Sequence, residues 1–111
     1  MKIAISVSSQ ELSDPIETRF GRAPSFVIYD TETKDSCFIE NSPNAALAQG
    51  AGMQTAHLLI KKGVSAVITG QCGPKAIQAL QANGISIYCS ESITVSAAID
   101  QFDKGELECM A

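Results

Sequence analysis

Cys72 stands in "TGQCGPKA" (69–76), between Gly70 and Gly73, where an apolar run hands over to a proline-led helical pattern. A thiol at a helix start is favoured as thiolate by the positive end of the dipole. Thiolate is the form that binds soft metals and iron–sulfur clusters. The same position also suits a small buried filler, and the local sequence leaves both readings open. A second glycine-rich start, "QGAG" (49–52), precedes another helical pattern. Gly50, Gly52, Gly70 and Gly73 let backbone N–H groups approach a ligand, and unpaired N–H groups at a helix start form an anion site. Arg19 and Arg22 in "RFGRAP" (19–24) add positive charge to a chain of formal net charge −4. Taken singly each glycine is a turn residue; taken with Cys72 and the arginines they describe an anion cradle.

Other chemistry finds less support. Cys89 closes a strand-like run and either flanks the same pocket as a second metal ligand or fills a strand end. Cys37 lies mid-strand and Cys109 on a loose tail, and neither is given a role. His57, the only histidine, falls about a turn into a helix, where a lone histidine is usually a surface or boundary residue. No acid or base stands beside Cys72 at a spacing that activates a nucleophile. "GAGMQT" lacks the third glycine of a dinucleotide fingerprint, and "GPKA" lacks the G-K-[ST] of a phosphate loop. Two-metal phosphoryl transfer needs clustered carboxylates, and "KIAISVSS" (2–9) holds none.

The elements that position these residues follow from periodicity. "KIAISV" (2–7), "SFVIYDTET" (25–33), "DSCFIEN" (35–41), "SAVIT" (65–69) and "ISIYC" (85–89) are strand-like. "SPNAALAQGAG" (42–52) is a loop. A helix runs from Met53 to the stop at Lys62-Gly63, with Met53, Ala56, Leu59 and Ile60 on one face; another spans 74–84. Thr94 caps a last helix with Val95, Ala98, Ile99 and Phe102 inward. Helical crossovers make the later strands parallel, whereas the early hairpin is antiparallel. The order 3-2-1-4-5 satisfies both: an α/β, ribonuclease H-like fold with a mixed five-stranded sheet and three helices. Ser8-Ser9, "RFGRAP", "NSPNAALAQGAG", "GQCGP" and "CSES" (89–92) then share one sheet edge, where open α/β sheets bind ligands.

Composition sets outer bounds. The 111 residues suit one domain, and 45% hydrophobic with 18% charged residues is ordinary globular usage. The acidic balance argues against nucleic acid. No apolar run nears the roughly 20 residues needed to cross a bilayer, so no membrane partner is expected. "MKIAISVSSQ" does not have the form of a secretory leader. With four scattered cysteines and no C-x-x-C pair, reduced thiols and a cytoplasmic location are expected.

"RFGRAPSFVIYD" (19–30), "GAGMQTAHLLIKKGVSAVITGQCGPKAIQALQANGISIY" (50–88) and "TVSAAIDQFDKGEL" (94–107) resemble the dinitrogenase iron–molybdenum cofactor biosynthesis family of NifX-like and NifB C-terminal-domain-like proteins. The resemblance implies a ribonuclease H-like fold without nuclease activity, one cluster-binding domain over 1–111, and non-enzymatic carriage of an iron–sulfur or molybdenum-containing cluster. It implies transient, non-covalent binding and partners among cofactor-biosynthesis or redox proteins. By position it points to Phe20–Pro24, Gly50–Gly52 and Gly70–Pro74. Many relatives read HGAG where this chain has Gln49; if that histidine ligates metal in them, this chain lacks the ligand and thiolate or purely electrostatic binding must suffice. The alternative reading is an interaction or regulatory module that binds an anionic ligand or partner loop without a cluster. A metal-dependent hydrolase is a third class, for which no activity is expected.

Overall fold

Strict alternation in the first strand builds two cores at once. In β1 (Lys2–Val7), Ile3, Ile5 and Val7 enter one core while Ala4 enters the other. The computed structural model describes residues 1–9, 11–90 and 93–110. A 3₁₀ turn (Phe20–Arg22) leads into β2 (Ser25–Asp30) and β3 (Ser36–Glu40). There follow α1 (Ser42–Ala45), α2 (Ala51–Lys61), β4 (Ala66–Thr69), α3 (Pro74–Ala82), β5 (Ser86–Cys89), α4 (Val95–Asp103) and β6 (Glu108–Cys109). They form one sheet in the order β3-β2-β1-β4-β5-β6. β1, β4 and β5 run parallel, while β2, β3 and β6 pair antiparallel to their neighbours.

The parallel crossovers on either side of β4 put α2 and α3 on one face, and α4, which leads to antiparallel β6, lies on the other. Ala56 and Leu59 of α2 and Ala76 and Leu80 of α3 close over Phe26 and Val67. Val95 and Ala98 of α4 close over Ile5, Val27 and Ile68. Phe102 adds an edge-to-face contact with Tyr88, ring centroids 5.3 Å apart.

Three expectations need correction. The sheet has six strands, because the tail returns as β6 and the Met110 N–H donates to the Ile87 carbonyl at 2.7 Å. Cys109 therefore sits in a strand rather than on a loose tail. A short fourth helix, α1, stands inside the segment read as loop. Its cap residue Asn41 is buried and holds two neighbours: its Nδ2 donates to the Ala23 carbonyl at 2.8 Å and to Thr55 Oγ1 at 3.1 Å. Finally, α2 begins at Ala51 rather than Met53, because Gly50 takes a φ of 79° and its carbonyl already accepts from the Gln54 N–H.

Candidate functional site

The turn Phe20–Arg22 is fixed at three points. Phe20 is buried and meets Phe26 edge-to-face, ring centroids 5.6 Å apart. Its N–H donates to the Gln71 carbonyl at 2.9 Å, and the Gln71 N–H donates back to the Thr18 carbonyl. This ladder carries the 18–20 segment across the end of β4. Gly70 permits the crossing: a Cβ there would lie 2.7–2.9 Å from Thr18 atoms. Gly21 is the third point, since its Cβ would fall 2.9 Å from the backbone of Gly52 in the first turn of α2. Two glycine contacts thus draw three separate chain segments to one place.

Between these segments lies a cleft of about 530 Å³, lined by residues 19–22, 48–52 and 71–73. It brings together Arg19, Arg22, Gly50, Gly52, Cys72 and Gly73 of the residues singled out from sequence. Gln49 lines it too. The α2 cap Gly50 and the α3 cap Gly73 offer no side-chain hydrogen bond to the first-turn N–H groups. Pro74, the first residue of α3, has no N–H of its own. An adjoining shelf of about 300 Å³ shares Gly50, Gly52 and Gly73 and adds Met53, Pro74 and Lys75. Lys75 is an exposed cation in the first turn of α3.

The two arginines differ in what they hold. Arg19 is exposed and lies 3.4 Å from the Glu17 carboxylate. Burial pushes the Glu17 carboxyl up, but the hydrogen bonds and charge of Arg19 outweigh it and hold it below its ordinary value. Arg22 Nη1 instead donates to two main-chain carbonyls, Ala45 at 2.9 Å and Leu47 at 2.8 Å. Glu17 stands two residues before Arg19, outside every motif that the sequence offers.

Cys72 departs from expectation in its chemistry rather than its place. It is half-buried and its side chain packs against the α2/α3 core. Burial pushes its thiol up to about 11, so it is a neutral thiol near pH 7 and not the lowered one expected of a helix start. The reason is positional: Cys72 precedes the cap of α3 by one residue and turns inward. Gly70 shapes the approach of Thr18 and does not line the cleft. Nor does Cys89, which lines a separate cavity of about 240 Å³ with Ile93 and Glu106. Its Sγ reaches the Gly70 carbonyl at 3.5 Å. His57 is exposed beyond the first turn of α2, and Cys37 is exposed on β3.

Ser8-Ser9 also fall outside the cleft, because residues 16–17 lie along the end of β1. Of "CSES", Glu91 and Ser92 lie outside the described residues. Among the described residues no cluster of three or more His, Cys, Asp or Glu side chains could hold a metal ion. No described helix is long and apolar enough to cross a membrane.

Comparison with known proteins gives this geometry a context. The model of the family described as dinitrogenase iron-molybdenum cofactor matches residues 1–105. The chain is similar to the apo form of the orange protein from Desulfovibrio gigas, at 36% identity and a TM-score of 0.95, covering 99% of this chain and 92% of that one. It is also similar to a putative NifB protein from Thermotoga, at 38% identity and a TM-score of 0.87, covering 98% and 92%. An uncharacterized protein of Methanocaldococcus jannaschii is 32% identical over 111 residues, 97% of this chain and 90% of that protein.

Proposed function

The chain belongs to the dinitrogenase iron-molybdenum cofactor family, and from that premise we propose that it binds and carries an iron–sulfur or molybdenum-containing cluster without catalysing a reaction. The observation that carries this reading is the convergence of two uncapped, glycine-led helix starts on one cleft of about 530 Å³ with Arg19 and Cys72 on its wall. Such a site stabilises a large anion through backbone N–H groups, helix dipoles and side-chain charge. It needs no covalent bond. A neutral Cys72 thiol supports electrostatic holding in the first instance, with sulfur–metal ligation available only after the proton leaves.

In this reading, residues 1–111 form one carrier domain of ribonuclease H-like type, working in the cytoplasm with cofactor-biosynthesis or redox proteins as donors and acceptors. The cargo is transient, which suits an open cleft better than a closed ligand cage. Metal and acid-labile sulfide analysis of protein purified anaerobically from its own host is the test. Molybdenum or iron with sulfide, at a fixed ratio to protein, is the expected result. Protein free of both, before and after anaerobic cluster reconstitution, would instead favour the anion-binding interaction module.

A further inference from the structure

The two arginines of "RFGRAP" put the same guanidinium group to different uses, and the hydrogen bonds separate them. Both protons of Arg22 Nη1 are taken by carbonyls, Ala45 at the end of α1 and Leu47 just beyond it. Carbonyls at a helix end lack intrahelical donors, so a cation there acts as a cap. The segment so capped runs on through Ala48, Gln49 and Gly50, which form one wall of the cleft. On the far side of the same turn, Gly21 abuts Gly52 and Phe20 is buried. Arg22 is thus the outer end of a latch that joins the core, the start of α2 and the loop before it. Arg19 has no such duty. Among the described residues its ionic partner is Glu17 at 3.4 Å, with the guanidinium exposed and the carboxylate mostly buried. If the guanidinium turns to an incoming anion, the Glu17 carboxylate keeps the Arg19 main-chain N–H, which donates to it at 3.0 Å.

We propose that Arg22 is a positioning residue that straps the rim segment 46–50 in place, while Arg19 is the arginine whose charge meets the ligand. This rests on the cleft being the anion site. A strap and a charge respond differently to lysine. Lysine keeps a point charge on a flexible stem but loses the planar fork that spans two fixed carbonyls. At Arg19 only the charge is needed, so lysine serves. At Arg22 it does not.

The experiment compares R19K, R19Q, R22K and R22Q in two readouts: affinity for tetrathiomolybdate as a sulfur-rich molybdenum anion, and amide hydrogen exchange of the unliganded protein. For Arg19, the glutamine variant should lose about tenfold in affinity, the size of one charge-assisted contact, and the lysine variant should recover most of it. For Arg22, lysine and glutamine should lose affinity alike, and both should speed exchange at Leu47–Gly50 at least several-fold over wild type. Full recovery of affinity by R22K with exchange unchanged would overturn the inference, as would unchanged exchange in R22Q. Exchange is read without ligand, so failure of the wild type to bind the anion would sink the site reading while leaving the strap to be decided by exchange alone.

Discussion

The start of α4 and the starts of α2 and α3 solve the same problem in opposite ways. Every helix begins with N–H groups that lack intrahelical partners. At α4 the Thr94 hydroxyl accepts from the Ala97 N–H at 3.1 Å. At α2 and α3 the caps are Gly50 and Gly73, which have no side chain to accept with. The capped start lies away from the cleft, and the uncapped pair lines it. At the start of α4 the chain supplies a hydroxyl; at the two starts on the cleft it supplies glycine and no side-chain acceptor.

The largest expected effect bears on how the uncapped pair is brought together. Gly70→Ala sets a methyl 2.7–2.9 Å from Thr18, including its backbone. It should cost about 3 kcal/mol in urea unfolding, as overpacking against main chain does. Gly52→Ala meets only the Ala76 methyl, at 3.6 Å, and should leave stability almost unchanged. Equal losses in the two would mean that the crossing of Thr18 over β4 is not what fixes the site.

Cys72 offers a smaller effect with a defined sign. Its folded pKa, about 11, is raised from 9.0 by burial. Below 9 the thiol is neutral in both folded and unfolded chains. Between about 9 and 11 the unfolded chain releases the proton first, so this contribution to stability is lost as pH rises through that window. Iodoacetamide at pH 7.5 should label exposed Cys37 well before Cys72. If Cys72 reacts first, its environment is that of a stabilised thiolate. Cys72→Ser should lower retention of a bound cluster by less than about twofold, since a neutral thiol is not the main holding group.

The smallest effects test the comparison of caps directly. Thr94→Ala should cost about 1 kcal/mol of stability and leave anion affinity alone. Gly73→Ser should do the reverse. Its φ of −68° and ψ of 155° suit a cap, and a Cβ there meets nothing within 4 Å. The new hydroxyl should add a few tenths of a kcal/mol while occupying an N–H of the α3 start, and affinity should fall. A serine variant that gains stability and keeps full affinity would show that the α3 donors are not used.

Strand order was legible in the sequence because buried strands and crossover helices leave strong periodic signals. β1 to β5 follow the expected order, and the glycine segments meet at the expected edge. The misses share a cause. β6 has two residues and α1 four, too few to show a period; both owe their form to partners far along the chain, the Ile87 carbonyl for β6 and, through the cap residue Asn41, Ala23 and Thr55 for α1. The direction taken by Cys72 was equally hidden. A one-residue offset from the cap decides whether a thiol looks at the helix N–H groups or into the core, and no spacing rule carries that resolution. The roles of Arg19 and Arg22 depended on which carbonyls and carboxylates came within reach, which only the folded chain defines.

The most direct test of the account is a titration of ¹⁵N-labelled protein with tetrathiomolybdate, followed by amide NMR shifts. The account predicts saturable shifts at Phe20–Arg22, Gly50–Met53 and Cys72–Ala76, with Val95–Ala97 at the capped start of α4 unmoved. Shifts centred instead on the cavity of about 480 Å³ lined by Met1, Thr31, Tyr88 and Phe102, or spread evenly over the starts of α2, α3 and α4, would contradict it.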